Sequence, residues 1–214
     1  MNIRFHDVAQ NTEAWDDLKL AVPSASNMHR VITKVTRKPS KQRYLWAYEL
    51  AGQKLAGERL ERGGVGLAAE RGHLLEPAAR DAYREIANGV PVSNGGWVTR
   101  ELGHDVVGAS PDGMVGSTGL VEIKCLSYPK HLQIIDTYHR EGAPPEEFWI
   151  QIQGQLYVTG REWCDLWLYH PHPNLPNLRV HIPQDEEFLE ALEPELLWVL
   201  VQRDAIVKRM REVV

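Results

Sequence analysis

The stretch that decides the fold runs from Gly108 to Cys125 and reads GASPDGMVGSTGLVEIKC. It contains two turn signals, Pro111-Asp112-Gly113 and Gly116 to Gly119. The segment after the second turn alternates with the period of two that is typical of a strand. The sequence therefore predicts a hairpin whose last strand directs two polar residues to one face, Glu122 and Lys124, and three apolar residues into the core, Val121, Ile123 and Cys125.

This hairpin brings two carboxylates and a lysine to one small site, because folding about the second turn places Asp112 close to Glu122. Two neighbouring carboxylates repel each other unless a cation lies between them. Hard oxygen ligands select Mg²⁺ or Mn²⁺, and the carbonyl of Ile123 could supply a third oxygen. Lys124 can position or deprotonate an attacking water beside such a metal. The same spacing also occurs by chance in ordinary hairpins that carry a surface Glu-Lys pair, so both interpretations stay open on spacing alone.

The surrounding residues add a family resemblance. The segment Ser110-Pro111-Asp112-Gly113, followed by Glu122-Ile123-Lys124-Cys125, resembles the PD-(D/E)xK nuclease motif in its lambda-exonuclease and YqaJ-type viral recombinase branch. The resemblance spans about residues 12 to 170 and implies a single-domain α/β core over residues 1–214, with a central mixed β-sheet flanked by helices. Other segments recur in the family's order and approximate spacing: Trp15 to Leu20, Ser24 to Ser26, Gly72, Glu76 to Arg80, Gln151 to Gln153, and Tyr157 to Thr159.

The resemblance implies a complete catalytic set. Glu76 lies beside the apolar stripe of a predicted helix, where an acid is rarely left unpaired, and the family places its second metal-binding glutamate there. The expected cofactor is two Mg²⁺ ions, for which Mn²⁺ can substitute. The expected catalytic residues are Asp112, Glu122, Lys124, Glu76 and Gln151, and the expected metal ligands are Asp112, Glu122, the carbonyl of Ile123, and Glu76.

A 5′-phosphate site is also implied by the resemblance. The family holds the 5′-phosphate of a DNA end with an arginine at the position of Lys19 and with serines that match Ser26 and Ser110. Lysine keeps the charge of the arginine but loses its bidentate fork. Ser24 and Ser26 are also consistent with plain helix capping, and both roles can hold together.

Charge is unevenly distributed along the 214 residues, whose formal net charge is −5. Residues 1–75 carry 12 basic and 8 acidic residues, whereas the remainder carries 12 basic and 21 acidic ones. A segment from His29 to Arg43 has no acid at all. Such a segment is either a solvated face or a phosphate-tracking surface. Its candidate DNA-binding residues are Arg30, Lys34, Arg37, Lys38, Lys41 and Arg43.

Composition excludes several classes of protein. The two cysteines, Cys125 and Cys164, cannot supply the four ligands of an iron–sulfur nuclease or a disulfide framework. No stretch approaches the roughly 18 apolar residues of a membrane span. The N-terminus lacks the apolar core of a signal peptide, so we expect a cytoplasmic protein without membrane contact. The resemblance implies that it is encoded by a phage or prophage and acts in the bacterial host cytosol.

Periodicity predicts helices in both halves of the chain. A break is expected at Gly63 to Gly66, where no Lys-Ser or Lys-Thr follows as a phosphate loop would need. The expected helices cover residues 12–20 with Asn11 or Thr12 as the cap, a segment after Ser26 with Met28, Val31 and Ile32, residues 44–56 with Leu45, Tyr48 and Leu55, residues 67–87 with Leu75, Ala78, Ala79, Ala82 and Ile86 buried, and the chain from Gln184 onward.

Strands are expected over residues 97–109, leading to Asp112, and over Trp163 to His170, paired with Arg179 to Ile182. The run from Ile150 to Val158 alternates strictly, which by itself predicts a strand. The family has a helix there, with Gln151 near the attacking water and with Gln153 and Gln155 in structural roles. We follow the resemblance for this segment. The sequence His170-Pro171-His172-Pro173 is interpreted as a loop, because no cysteine or acid accompanies the histidines.

The resemblance implies an exonuclease that degrades one strand of linear duplex DNA from a 5′ end and leaves 3′ tails for recombination. Its expected partners are double-stranded DNA ends, a single-strand annealing protein and two further copies of the chain in a homotrimeric ring. Two alternatives are another PD-(D/E)xK nuclease, such as a RecB-like exonuclease, and a DNA-end-binding protein that does not cleave.

Overall fold

The computed structural model describes residues 2–10, 12–59 and 67–213. The helices are α1 (Glu13–Lys19), α2 (Gln42–Ala56), α3 (Leu67–Ile86, with side chains described from Glu70), α4 (Tyr128–Glu141), α5 (Glu146–Thr159) and α6 (Glu186–Arg211), with a 3₁₀ helix at Ala25–Arg30. The strands are β1 (Ile3–His6), β2 (Val92–Ser93), β3 (Trp97–Leu102), β4 (Asp105–Ala109), β5 (Gly113–Val115), β6 (Gly119–Lys124), β7 (Trp163–Leu168) and β8 (Leu178–Pro183).

The central sheet has five strands in the order β2-β5-β6-β7-β8. Only β6 and β7 run parallel among these neighbours, with Glu122 opposite Leu166. A parallel pair needs a long crossover, and α4 and α5 supply it between β6 and β7. A second, antiparallel sheet has the order β1-β3-β4. The predicted mixed sheet with flanking helices is thus confirmed.

The predicted hairpin is present as β5 and β6, with Gly113 opposite Val121. Its turn contains Gly116 at a φ of 54°, a conformation that glycine adopts without steric cost. The alternation along β6 is also as predicted. Val121, Ile123 and Cys125 pack with residues of α3 in one buried cluster. The opposite face differs from a surface, because the Glu122 side chain lies under α5 and the residue is only 3% exposed. This burial excludes an ordinary surface Glu-Lys pair.

The segment that alternates from Ile150 to Val158 is helical, as the family resemblance implied, and the strand indicated by periodicity is wrong. Ten consecutive or near-consecutive residues of α5 are buried. A helix that is covered on all sides shows no amphipathic period, so the usual sequence signal is missing. Gly154 lets α5 approach the 3₁₀ helix closely, because an added Cβ would lie 2.4 Å from the Met28 sulfur.

Two helices bury their apolar residues only partly as the sequence predicts. In α2, Leu45, Tyr48 and Leu55 are exposed. In α3, Ala78 and Ile86 are exposed, whereas Ala79 is buried and Leu75 and Ala82 pack against the same cluster, as predicted. Apolar residues occur on more than one side of both helices, and periodicity cannot show which side meets the core. The buried residues of α2 are Trp46, Ala47, Leu50 and Ala51, and those buried in or just after α3 besides the predicted Ala79 are Tyr83 and Ala87.

Other local predictions also need correction. The single strand expected over residues 97–109 is two strands, β3 and β4, separated by a turn in which Gly103 has a φ of 65°. The helix expected after Ser26 is a short 3₁₀ helix, for which Ser24 is the N-cap without a side-chain capping bond. Strands β1 and β2 carry too few residues to give a sequence signal. Asn11 and the Gly63 to Gly66 break lie outside the described residues.

Candidate active site

Asp112 lies directly before β5 and contacts the backbone of the neighbouring strand, β6. The Ile123 N–H donates to Asp112 Oδ2 at 2.6 Å. The N–H and C=O of one strand residue point to the same edge, so the Ile123 carbonyl also points to the edge where Asp112 lies. The next carbonyl, that of Lys124, accepts from the Tyr169 N–H on the opposite edge. The alternation of the strand therefore places the Ile123 carbonyl beside Asp112, as the sequence predicted.

Glu122 is surrounded by side-chain donors. Its Oε1 accepts from Lys124 Nζ at 2.7 Å and from Gln151 Nε2 at 2.6 Å, and its Oε2 accepts from Gln155 Nε2 at 2.6 Å. Lys124 Nζ also donates to Gln151 Oε1 at 3.1 Å. The lysine, the glutamate and Gln151 thus form a closed triangle of hydrogen bonds. The structure brings together these three residues, which were predicted to work together.

Glu76 approaches the same site from α3. Its carboxylate forms an ion pair with Arg80, one turn further along the helix. A cavity of about 240 Å³ joins Glu76 to the strand residues. This small cavity brings together all four predicted metal ligands and the predicted catalytic lysine. Its lining residues are Gly72, His73, Glu76, Asp112, Glu122, Ile123, Lys124, Cys125 and Leu126.

The carboxylates of this cavity influence one another. Burial raises the pKa of Asp112 well above its ordinary value, and the negative charges of Glu122 and Glu76 raise it further. Burial also raises the pKa of Glu76, although Arg80 opposes that shift. Burial lowers the pKa of Lys124, but the charge and hydrogen bond of Glu122 outweigh it, and the net shift is upward. The lysine is therefore held as a cation paired with Glu122, and Asp112 is the acid of this cavity whose pKa the neighbouring acids raise.

The donor set fits a hard divalent cation, because three carboxylates and one backbone carbonyl converge on one cavity where negative charge is in excess. As the side chains stand, no group of three or more His, Cys, Asp or Glu residues in the described ranges is arranged to hold an ion. The hydrogen-bond and ion-pair partners of the glutamates explain this arrangement. Glu76 is turned to Arg80, and Glu122 is held by Lys124 and two glutamines.

Comparison with known proteins identifies the family of this chain. Residues 14–162 match the YqaJ-like viral recombinase domain, which is more than half of the chain. The chain belongs to the YqaJ-like viral recombinase family. Its fold is similar to that of an alkaline exonuclease from Laribacter hongkongensis, with 33% sequence identity, a TM-score of 0.79, and coverage of 94% of this chain and 97% of the other.

Two further comparisons complete the assignment. A structure of the Laribacter enzyme in complex with dAMP matches this recombinase-family chain with 32% identity and a TM-score of 0.78, over 94% of this chain and 97% of the other. A phage-related exonuclease from Haemophilus somnus 129PT shares the fold at 16% identity and a TM-score of 0.66, over 91% of this chain and 99% of the other. No curated protein sequence matches the chain. The predicted PD-(D/E)xK-type core is thus the fold of the family.

A second cavity of this YqaJ-like chain contains part of the predicted 5′-phosphate site. Lys19 and Ser26 both line a space of about 500 Å³, together with Arg30. The Lys19 ammonium lies 3.6 Å from the centre of the Trp15 ring, which orients it by a cation–π contact. Ser110 does not line this cavity, and its hydroxyl donates to the Gly96 carbonyl at 2.9 Å. The structure therefore brings together two of the three predicted phosphate-binding residues.

The predicted DNA-binding segment carries less unpaired charge than its sequence indicates. Its three arginines form ion pairs with acids from α2, α6 and the α6 N-cap. Lys34 lies 4.7 Å from the ring of Trp149. Lys38 and Lys41 are exposed and form no ion pair within the described ranges. The arginine pairs are Arg30 with Glu49, Arg37 with Asp185 and Glu187, and Arg43 with Glu195.

Sequence reasoning missed three residues around the first cavity. Gln155 was assigned a structural role, yet it donates to Glu122. Arg80 is the ion-pair partner of Glu76, and His73 lines the cavity. The spacing of four residues between Gln151 and Gln155 was the available signal, because residues i and i+4 share a helix face.

The remaining sequence predictions concern the histidines, the cysteines and the membrane. The segment that begins at His170 is a loop, as predicted, and the buried His170 side chain contacts Arg71. Cys125 and Cys164 are both buried and free. No helix in the described part of the chain combines the length and apolar character needed to cross a membrane.

Proposed function

We propose that this protein is a Mg²⁺-dependent exonuclease that degrades one strand of linear duplex DNA from its 5′ end, for recombination by strand annealing. The observation that carries the proposal is the convergence of Glu76, Asp112, Glu122 and Lys124 on one cavity, with Gln151 bonded to both the glutamate and the lysine. The family match and the 33% identity to an alkaline exonuclease support a recombination-related DNA exonuclease. The structure of that relative in complex with dAMP supports a nucleotide as a ligand of this protein.

Each residue has a distinct task in this proposal. Asp112, Glu122, Glu76 and the Ile123 carbonyl would hold the two ions. Two bound Mg²⁺ ions, or Mn²⁺ in their place, supply the Lewis acidity that raises the hydroxide fraction of a water and stabilises the leaving 3′-oxygen. Lys124 would hold a proton at Nζ for the attacking water, and Gln151 would fix the direction of the ammonium through their hydrogen bond.

The DNA would be held at two places. Lys19 and Ser26 would bind the terminal 5′-phosphate in the second cavity, where an ammonium and a hydroxyl face the same space. Ser110 would join them only after releasing the Gly96 carbonyl. The exposed Lys38 and Lys41, with Lys34, would follow the phosphate backbone. Arg30, Arg37 and Arg43 would contribute after exchanging a carboxylate partner for a phosphate.

Assembly is also part of the proposal. We propose that residues 1–214 form one nuclease domain and that three copies form a ring around the DNA, which supplies processivity by topology. Exposed apolar side chains on two helices that pack together support a contact between protomers. A partner that anneals single strands would receive the 3′ tail. The exposed residues are Leu45, Tyr48 and Leu55 on α2, and Leu197, Val201 and Met210 on α6.

The decisive test uses linear duplex DNA labelled at either the 5′ or the 3′ end, with and without Mg²⁺. We expect Mg²⁺-dependent release of the 5′ label before the 3′ label, and more rapid release from 5′-phosphorylated ends. Release of the 3′ label first would contradict the proposed polarity and favour a RecB-like exonuclease. Binding of ends without cleavage, at any metal concentration, would favour an end-binding protein. A solution mass near one subunit during processive digestion would contradict the ring.

A further inference from the structure

Two buried glutamines, two residues apart on α5, are bonded in different ways. Gln153 is satisfied at both ends, because its Nε2 donates to the Pro183 carbonyl and its Oε1 accepts from the Asp185 N–H, each at 2.9 Å. It ties α5 to the connection between β8 and α6, which is a structural role. Gln155 is equally buried, with 1% exposure, yet only one end is bonded.

The unbonded end of Gln155 is its carbonyl. Within the described residues, Gln155 Oε1 is buried and has no hydrogen-bond partner. A buried acceptor without a partner is costly, and most buried polar groups avoid that situation. The amide tolerates it because its Nε2 faces Glu122 Oε2 at 2.6 Å, and the reversed amide would place two oxygens against each other. The orientation of Gln155 is therefore determined by the carboxylate and not by packing.

Counting acceptor positions on Glu122 shows what Gln155 achieves. Each carboxylate oxygen offers about two lone-pair positions. Oε1 accepts from both Lys124 and Gln151, so its positions are filled. Oε2 accepts only from Gln155, so one position is left. Of the two oxygens, Oε2 is therefore the one that can ligate a cation without losing a hydrogen bond.

We propose that Gln155 is a positioning residue that holds Glu122 so that Oε2 presents its remaining lone pair to the divalent cation. This inference rests on the proposed function of the same site, and it extends that function to a residue outside the predicted catalytic set. Partners of this kind orient metal ligands, and their loss typically costs about 10–100-fold in metal affinity.

The test compares Gln155→Met and Gln155→Asn with the control Gln153→Met. Methionine keeps the volume and the helix preference but removes the donor, whereas asparagine keeps the amide but is too short to reach Glu122. Mn²⁺ binding to the DNA-free protein is measured by the loss of the free-ion electron paramagnetic resonance signal. The Mg²⁺ dependence of kcat and the KM for linear duplex DNA are measured in parallel.

We expect both Gln155 variants to bind Mn²⁺ about 10–100-fold more weakly, with an unchanged KM for DNA and with kcat restored at high metal concentration. Gln153→Met should lower the melting temperature and leave Mn²⁺ affinity unchanged. Wild-type Mn²⁺ affinity in either folded Gln155 variant would overturn the inference, as would an equal loss in Gln153→Met. If Gln155→Met does not fold, the Mn²⁺ affinity of Gln155→Asn decides the test.

The two proposals fail separately in this experiment. If the wild-type protein digests DNA with Mg²⁺ and the Gln155 variants match its metal affinity, only the positioning role is wrong. If the Gln155 variants bind Mn²⁺ more weakly than the wild-type protein but the wild-type protein does not cleave DNA, the positioning role holds and the proposed function fails. A wild-type protein that neither binds Mn²⁺ nor cleaves would overturn both.

Discussion

The carboxylate cavity and the basic segment differ in how their charged side chains are paired. At the cavity, the acids Asp112 and Glu122 are kept together although burial and repulsion raise the pKa of Asp112. In the segment from His29 to Arg43, the three arginines each meet a carboxylate from another element. These arginines, which lie near the surface, are paired with opposite charges. Charges that stay unbalanced in a buried place cost free energy, and this cost indicates a site that is built for a further charged group.

The largest expected effect is the loss of Asp112. Replacing Asp112 with Asn should reduce the rate of DNA hydrolysis by more than the roughly 10²–10⁴-fold expected for a single acid–base group, because both cations lose a ligand. Initial rates on linear duplex DNA with saturating Mg²⁺ provide the measurement. Asp165→Asn is a matched control, since Asp165 is also buried but bonds to Tyr83 and His181 away from the cavity. An equal loss in both variants would show that structure and not chemistry is affected.

Removal of the cavity's lysine should have the next largest effect. Lys124→Ala should lower kcat by roughly 10²–10⁴-fold and leave folding and DNA binding nearly intact, because the lysine acts on the attacking water. Single-turnover rates and binding to labelled duplex ends separate the two quantities. Normal digestion of linear DNA by this variant would show that the site has been assigned to the wrong residues.

The comparison also explains what the sequence could predict. The grouping of Asp112, Glu122 and Lys124 is local, since strand alternation and one turn bring these residues together, and both features were readable from the sequence. The ion pair between Arg43 and Glu195 joins residues 152 positions apart, and no local count can anticipate it. The helix α5 defeated periodicity because it is buried on every side, and only the family resemblance gave its structure. The role of Gln155 depends on which glutamine of α5 faces β6, which a sequence pattern alone does not determine.

A more selective effect is expected at the second cavity. Lys19→Ala should lower the preference for 5′-phosphorylated over 5′-hydroxyl ends by roughly 10–100-fold, the usual value of a charge-assisted hydrogen bond. Competition between the two kinds of end in one reaction measures this preference. Arg59→Ala is the control, because Arg59 lines the same cavity but is paired with Asp16. An equal loss on both kinds of end would make Lys19 a general phosphate contact.

The basic segment itself should show a smaller effect that depends on pairing. Removing the exposed Lys38 and Lys41 together should reduce the slope of log affinity against log salt concentration by up to about 2, since each phosphate contact contributes about 0.9. Arg37→Ala should change the slope less, because Arg37 already binds Asp185 and Glu187. Affinity for duplex DNA at several salt concentrations gives the slopes. A larger change for Arg37→Ala would show that phosphates displace its carboxylate partners.

The smallest expected effect concerns stability without metal. The folded protein has a raised pKa at Asp112, so it retains a proton that the unfolded chain releases above its ordinary pKa of 3.8. The metal-free protein therefore loses stability as pH rises from that value towards the raised pKa. Asp112→Asn removes this loss and should raise the melting temperature at pH 8, by about 2–4 °C for each kcal/mol relieved. A lower melting temperature for Asp112→Asn at pH 8 would contradict the unfavourable burial of this charge.

The glycine contact between α5 and the 3₁₀ helix has a consequence for the length of the product. Helix α5 carries Gln151 of the catalytic cavity, and the 3₁₀ helix carries Ser26 of the phosphate cavity. At Gly154 the two helices lie so close that an added Cβ would be 2.4 Å from the Met28 sulfur. The separation between the two anchoring points for DNA is then set by the close contact of the Gly154 backbone with Met28 and Ala25 of the 3₁₀ helix. Under the proposed function this contact fixes the distance between the bound 5′ end of the DNA and the phosphodiester bond that is cut.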